Sequence, residues 1–294
     1  MKPGRFTYHA PRELDEALAM LHEYGDEAKV LAGGQSLMPI LNFRLSAIEH
    51  LVDINRLGGD LTDVTWAADT VAIPALVRQR QVERSPEVAT ALPVLAQALR
   101  QVAHPQIRNR GTVCGSLAHA DPAAELPSVM SVLDATFTVA SARGTRQIPV
   151  ADFFQFHLTT AIEPDELLLR VRVTLPPAGT FSAFHEFATR RGDFALAGVA
   201  AAVSVDGNGI VTSCRIAAAG VAPTPHRLTP VEGLVAGQRL DDAVLAEAEQ
   251  RARDEVDPTG DAHASAAYRK RLTGVLVKRA LADVRAQQQE VAHV

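Results

Sequence analysis

Residues 29–39 read K-V-L-A-G-G-Q-S-L-M-P and combine three features of a binding loop. The apolar residues at its start can end a short buried strand. Gly33 and Gly34 have no Cβ and can adopt positive φ, so backbone N–H groups can converge on one point. Gln35 and Ser36 add side-chain donors. The combination favours a cradle for an anion, most often a phosphate, and an ordinary tight turn that binds nothing is the alternative.

A second glycine motif lies at residues 104–127, H-P-Q-I-R-N-R-G-T-V-C-G-S-L-A-H-A-D-P-A-A-E-L-P. Its glycines flank a short strand-like run, and Ser116 and the acidic pair Asp121 and Glu125 follow. Two glycine turns with hydroxyl donors, the second followed by carboxylates, suggest a diphosphate joined to a sugar. Neither motif has the spacing of the two common nucleotide fingerprints, G-x-G-x-x-G and G-x-x-x-x-G-K-[ST].

Composition limits the partners and the cellular compartment. The 294 residues suggest about two domains. The net charge of −5 argues against a nucleic-acid partner. Two cysteines, Cys114 and Cys214, cannot supply the four thiolates usual for an iron–sulfur cluster. With no disulfide framework, signal peptide or apolar run near the ~18 residues of a membrane span, we expect a cytoplasmic protein.

Hydrophobic periodicity predicts alternating strands and helices in the first half, then a β-then-α block. The predicted strands are 6–9, 50–54, 69–73, 136–140, 145–150, 167–175, 181–189, 197–205 and 210–218. The predicted helices begin at Pro11 and cover 77–83, 93–102, 231–236, 241–255 and 265–285, and residues 37–41 begin a packed turn or helix. Asp206-Gly207-Asn208-Gly209 predicts a hairpin turn. The run P-P-A-G-T at 176–180 is the best domain boundary.

The two glycine motifs resemble those of the FAD-binding medium subunit of molybdenum hydroxylases. This is the flavoprotein of the carbon monoxide dehydrogenase and xanthine dehydrogenase family, and the resemblance runs from Phe6 to about Leu281. It implies an α+β fold that begins with a two-lobed FAD-binding domain of the vanillyl-alcohol-oxidase/PCMH type. That domain covers residues 1–176, with lobes of about 1–55 and 56–176. A smaller C-terminal α+β flavoprotein domain, a three-stranded sheet with helices, covers residues 177–294.

The resemblance also implies which residues bind FAD. The first motif would wrap the diphosphate with Ala32, Gly33, Gly34, Gln35 and Ser36, with Leu31 beside them. The second would line FAD with Thr112, Val113, Cys114, Gly115 and Ser116, with Asp121 and Glu125 at the ribose or the nearby backbone. Apolar contacts would come from Val102 and Leu168. A third motif, R-R-G-D-F-A at 190–195, matches R-x-G-D-aromatic-A, so Phe194 would shield the flavin ring.

Several residues depart from the family or have a simpler interpretation. Many relatives have Gly at Cys114, and we interpret this cysteine as a small packed residue, since nothing nearby in sequence activates a thiolate. Some relatives have a lysine near the position that His185 and Glu186 occupy in this chain. No catalytic residue and no metal ligand is assigned. The basic residues of the last helix are interpreted as a solvated surface; they are Arg269, Lys270, Arg271, Lys278 and Arg279.

The function implied by the resemblance is electron transfer within a complex. Such a subunit takes electrons from iron–sulfur clusters of a small two-iron two-sulfur subunit and passes them through FAD to an external acceptor. A large molybdopterin subunit oxidises the substrate, and the assembly expected is a dimer of heterotrimers. Molybdopterin and clusters are expected only on the partner subunits. A stand-alone FAD-dependent oxidase or reductase and a non-catalytic FAD-holding module are the alternatives. The substrate is not specified by this chain.

Overall fold

The N-terminal part is a small parallel sheet flanked by helices. The computed structural model describes residues 2–292, so Met1 and residues 293–294, the outer ends of the two predicted domains, lie outside it. Its elements are β1 (Thr7–His9), α1 (Leu14–Tyr24), β2 (Ala28–Leu31), α2 (Leu37–Asn42) and β3 (His50–Asp53). The strand order is β1-β3-β2 with both pairs parallel. α1 begins at Leu14 rather than at the predicted Pro11, buries Ala17, Leu18 and Leu21, and is followed by Gly25.

The middle part is a five-stranded antiparallel sheet with helices packed against it. The sheet has the order β4-β5-β10-β6-β7. Its strands are β4 (Thr65–Trp66), β5 (Thr70–Pro74), β6 (Thr136–Ser141), β7 (Gly144–Pro149) and β10 (Leu167–Thr174), and a separate hairpin is β8 (Phe154–Phe156) with β9 (Thr159–Thr160). The helices are α3 (Gln79–Arg84), α4 (Pro86–Ala91), α5 (Pro93–Leu99), α6 (Pro105–Arg110), α7 (Val113–His119), α8 (Glu125–Val132) and α9 (Val150–Phe153).

The C-terminal part is an antiparallel sheet followed by three helices. Its elements are β11 (Thr180–Phe187), β12 (Ala197–Val205), β13 (Val211–Ala219), β14 (His226–Arg227), α10 (Thr229–Val235), α11 (Asp242–Glu255) and α12 (Ala266–Ala292). The three predicted strands are confirmed, and the two-residue β14 adds a fourth at the edge. The predicted hairpin turn is also confirmed, because the Asp206 N–H donates to the Ile210 carbonyl.

The C-terminal sheet has two apolar faces. Side chains alternate between the faces of a strand. Val199, Ala201 and Val203 of β12 pack with the helical layer that includes Leu276. The residues between them belong instead to the core of the middle part, together with Phe184 of β11. The sheet is therefore sandwiched between its own helices and the middle part of the chain.

The strand-like run expected in the second motif is a helix. The Thr112 hydroxyl oxygen accepts a hydrogen bond of 2.9 Å from the Gly115 N–H, which caps the first turn of α7. The β-branched pair Thr112-Val113 favoured a strand locally, and the cap overrides that preference. No helix of the described residues is long and apolar enough to cross a membrane.

Candidate cofactor-binding site

The three sequence motifs meet at one cavity of about 1330 Å³. All the residues predicted to bind FAD line it except Leu31 and Val113. Leu31 lines a smaller cavity that shares the first glycine motif, and Val113, the first residue of α7, is fully buried in the core. The large cavity exceeds the roughly 300–1,000 Å³ of pockets for drug-sized molecules. Its size therefore fits a ligand as large as a dinucleotide.

The two glycine motifs touch at Gly33. A Cβ on this residue would lie 2.5 Å from the carbonyl oxygen of Arg110 and 2.7 Å from the Cα of Gly111. Both neighbours are backbone atoms, which a side chain cannot displace cheaply. Gly34 serves a different need, since its φ of +70° is one that L side chains rarely adopt. The pair therefore allows both the close approach and the turn that the cradle requires.

Two further side chains, which the sequence interpretation missed, hold the motifs together. Asn55 Nδ2 donates to the carbonyl of Ala32 at 2.7 Å. Arg78 donates to Asn55 Oδ1 through Nη2 and to the carbonyl of Arg110 through Nη1, each at 2.6 Å. We call Asn55 and Arg78 the motif lock. The only sequence signal for Asn55 was its position directly after a predicted strand.

Several polar groups at the cavity have different roles from one another. Gln35 Nε2 donates to the carbonyl of Gly33 at 2.9 Å, so this side chain stabilises the turn itself. The Ser36 side chain makes no cap hydrogen bond to α2. Thr112 accepts from Gly115, and its O–H remains a donor. Asp121 Oδ1 accepts from the Ala123 N–H at 2.9 Å and shapes the loop after α7. The hydroxyl and backbone donors fit an anionic diphosphate.

The third motif completes one wall of the cavity. Gly192 has a φ of +88°, and a Cβ there would meet the His104 ring at 2.7 Å, so this turn packs on the segment before the second motif. Phe194 lines the cavity with 66% of its surface exposed. An aromatic ring in this position can stack on a flat ligand ring. The geometry is compatible with the predicted shielding of the flavin.

Arg269 supports the wall behind the third motif. The residue is only 7% exposed, so the prediction of a solvated helix surface is wrong for it. Its Nη1 donates to the carbonyls of Leu196 at 2.6 Å and Gly220 at 3.1 Å, and its Nη2 donates to Asp261. In the sequence, a basic residue on a predicted helix does not indicate that its guanidinium binds buried carbonyls.

Cys114 is a packed thiol of α7 that lines the cavity. Its Sγ lies 3.3 Å from the carbonyl of Ile73, to which it donates, and the residue belongs to the central core. Burial raises the pKa of the thiol to about 12. A thiol with so high a pKa is not a nucleophile at neutral pH. The side chain fits because α7 gives this position ordinary helical geometry.

One group of potential metal ligands does not line the cavity. Atoms of Glu27, Glu49 and His50 come within 4.8 Å of one another. Both carboxylates are exposed, and exposed acidic groups cluster often without a metal. We assign no metal to this group.

Comparison with known proteins agrees with this geometry. Residues 4–176 match the family model of the FAD binding domain in molybdopterin dehydrogenase, and residues 182–284 match that of the CO dehydrogenase flavoprotein C-terminal domain. The chain is 42% identical to the 6-hydroxypseudooxynicotine dehydrogenase complex subunit alpha of Paenarthrobacter nicotinovorans, over 96% of this chain and 95% of that one. It is 36% identical to the carbon monoxide dehydrogenase medium chain of Hydrogenophaga pseudoflava, over 96% and 97%.

A solved structure extends the similarity to the whole fold. Carbon monoxide dehydrogenase from Hydrogenophaga pseudoflava, in a form that lacks the Mo-pyranopterin moiety, superposes with a TM-score of 0.93. The match covers 98% of this chain and 99% of that chain at 36% identity. Fold and cavity thus define an FAD-binding flavoprotein subunit of an oxidoreductase. The chain belongs to the family of molybdenum hydroxylase FAD subunits that includes the carbon monoxide dehydrogenase medium chains.

Proposed function

We propose that this chain carries electrons within a three-subunit enzyme. In this role FAD receives electrons from iron–sulfur clusters of a small subunit and delivers them to an external acceptor, while a large molybdopterin subunit oxidises the substrate. The observation that carries the proposal is the single cavity formed by the three motifs, in a chain with only two cysteines. Such a chain can hold a flavin but lacks the thiolates for the clusters that would feed it.

The residues of the chain bind and orient the cofactor in this proposal. The glycine cradle and Ser36 hold the diphosphate, and Thr112, Gly115 and Ser116 line its other side. Phe194 covers one face of the ring, and Val102 and Leu168 provide apolar contacts. Leu31 and Val113 support the two motifs from outside the cavity. Bound FAD supplies the redox chemistry, so no nucleophile or general base is required of the protein.

The substrate of the complex is left open by this chain. The relatives are named for substrates as different as 6-hydroxypseudooxynicotine and carbon monoxide. Such a range is expected if the substrate is bound by the large subunit, because the FAD subunit then needs no substrate pocket of its own. We also propose a domain division at 176/177, which the two matched ranges support. Cytoplasmic location stays a prediction from cysteine usage.

Pull-down of the tagged chain from its native host tests the proposal. We expect a large and a small subunit to copurify with molybdenum, iron and FAD, in the mass of a dimer of heterotrimers. A chain recovered alone, with full turnover of an organic substrate and no molybdenum or iron, would favour the stand-alone flavoenzyme. A chain recovered with FAD but with neither partners nor turnover would favour the FAD-holding module.

A further inference from the structure

The FAD cavity has a buried acid in its wall. Glu125 begins α8, lines the cavity and is only 8% exposed. No other residue within 2–292 donates a hydrogen bond to its carboxyl group. A charged carboxylate in such a place would lose most of its hydration, with only its own backbone N–H to replace it, which is costly. The neutral acid is therefore the favoured form.

A second acid, the half-buried Glu186 of the C-terminal sheet, lies near enough for its charge to raise the pKa of Glu125. Glu186 lies on β11 two residues after Phe184, on the face that packs against the middle part of the chain. Its Oε2 atom is enclosed and has no hydrogen-bond partner among the described residues. The adjacent His185 points to the opposite face, where it pairs with Asp283 on α12 at 2.8 Å. Within the part of the chain that the structure describes, Glu186 thus has no cation to balance it.

Around Glu125, burial and the neighbouring carboxylates outweigh the groups that favour ionisation, which are its own backbone N–H and Arg108. Burial raises the pKa of Glu125 to about 8, and the charges of Glu186 and Asp121 add to this effect. Arg108 opposes it weakly, because its guanidinium is already bound to Glu83 by hydrogen bonds of 2.8 and 3.0 Å. Burial alone raises the pKa of Glu186 to about 7.

We propose that Glu125 remains protonated, with Glu186 behind it, and that its carboxylic O–H donates a hydrogen bond to bound FAD. The proposal rests on the FAD-binding function above. FAD has many acceptor oxygens and a negatively charged diphosphate, so a neutral donor suits the cavity better than a carboxylate would. Glu186 acts as a positioning residue, because it controls the protonation of Glu125 without lining the cavity itself.

The consequence is FAD affinity that falls in alkaline solution. If only the protonated form binds, the apparent Kd rises in inverse proportion to the protonated fraction of Glu125. The Kd should therefore be constant near pH 6 and rise about tenfold for each pH unit above the pKa of this group. Titration of FAD into the full chain, after its own flavin has been removed, measures this Kd between pH 6 and 9.

Two carboxyl-to-amide substitutions should shift the profile in opposite directions. Glu125→Gln keeps a donor without charge at any pH, so its Kd should be nearly flat and about tenfold lower than that of the parent at pH 9. Glu186→Gln removes the like charge, so Glu125 ionises at lower pH and FAD binding weakens earlier. Asp283→Asn, on the opposite face of β11, should leave the profile of the parent unchanged.

The outcomes separate the two proposals. A parent chain that binds FAD with the same Kd from pH 6 to 9 would overturn the inference and leave the proposed function intact. The inference would also be overturned if both amide variants bound FAD equally weakly at every pH while their melting temperatures matched that of the parent. A parent chain that binds no FAD at any pH would overturn both. If the pH dependence of the Kd shifts in opposite directions in the two variants, the role of the acid pair is supported. A merely structural role of these residues predicts no such difference.

Discussion

Gly33 sets how closely the two glycine motifs can approach, so Gly33→Ala should separate them. The added Cβ would meet the backbone of Arg110 at 2.5 Å. Overpacking typically costs about 1–3 kcal/mol, so FAD affinity should fall about 5- to 150-fold. Fluorescence titration with FAD measures the change. Gly207→Ala is the matched control, because open space surrounds that position. If the Gly33 variant and the control bind FAD with equal affinity, the cradle is not part of the FAD site.

At the scale of single residues, the amino-acid type was enough to predict some roles but not others. Gly33 and Gly34 could be singled out because few residues tolerate such positions. Arg78 and Arg269 could not, since an arginine that binds buried carbonyls has the same sequence signature as one in solvent. Glu186 was noted only as a departure from relatives, and its enclosure depends on packing between distant segments.

At the scale of elements, the motif lock joins the turn after β2 to the end of α6. Arg78→Gln should break both of the 2.6 Å hydrogen bonds of its guanidinium. Hydrogen bonds to charged groups contribute about 1.5–3 kcal/mol each. Because the bond to Arg110 is exposed, the free energy of unfolding should fall by about the value of one such bond. Thermal and denaturant unfolding measure the loss, and FAD titration should show weaker binding. Arg84→Gln, an exposed change on α3, is the control. An Arg78 variant as stable as this control would mean that the lock contributes nothing.

Arg269 anchors α12 to the strand that follows the third motif. Arg269→Gln should leave the carbonyls of Leu196 and Gly220 without their donor, at about 1–3 kcal/mol for each. The exposed substitution Arg279→Gln should change stability by less than about 0.5 kcal/mol. Comparison of the two by chemical denaturation tests this. A loss no larger for Arg269 than for Arg279 would contradict the anchoring role.

Long elements were easier to predict than short ones. Strands β11 to β13 and helices α11 and α12 were predicted within a few residues, apart from the further extension of α12 to Ala292, because their apolar periodicity runs over many residues. The helices α6, α7 and α8 were missed, since none has more than eight residues and such short runs show little apolar periodicity. Those short helices carry most of the second motif, so the arrangement of the site was less predictable than the fold.

At the scale of the whole molecule, we expect one non-covalent FAD per chain. The two cysteines are buried, and burial raises the pKa of each thiol to about 12, so neither favours a covalent link to flavin. Acid precipitation should release all the yellow colour into the supernatant, with a flavin-to-chain ratio near one. Cys114→Ala should give the same ratio. Flavin that stays with the precipitated chain would contradict the non-covalent part of this prediction.

The motif lock has a consequence for how the protein is made. Its hydrogen bonds join only protein groups, so the chain itself can draw the two motifs together before FAD binds. Newly synthesised chains should then reach the native fold even when riboflavin is scarce. Vitamin supply would limit how many chains become active, while the number of folded chains would follow synthesis alone.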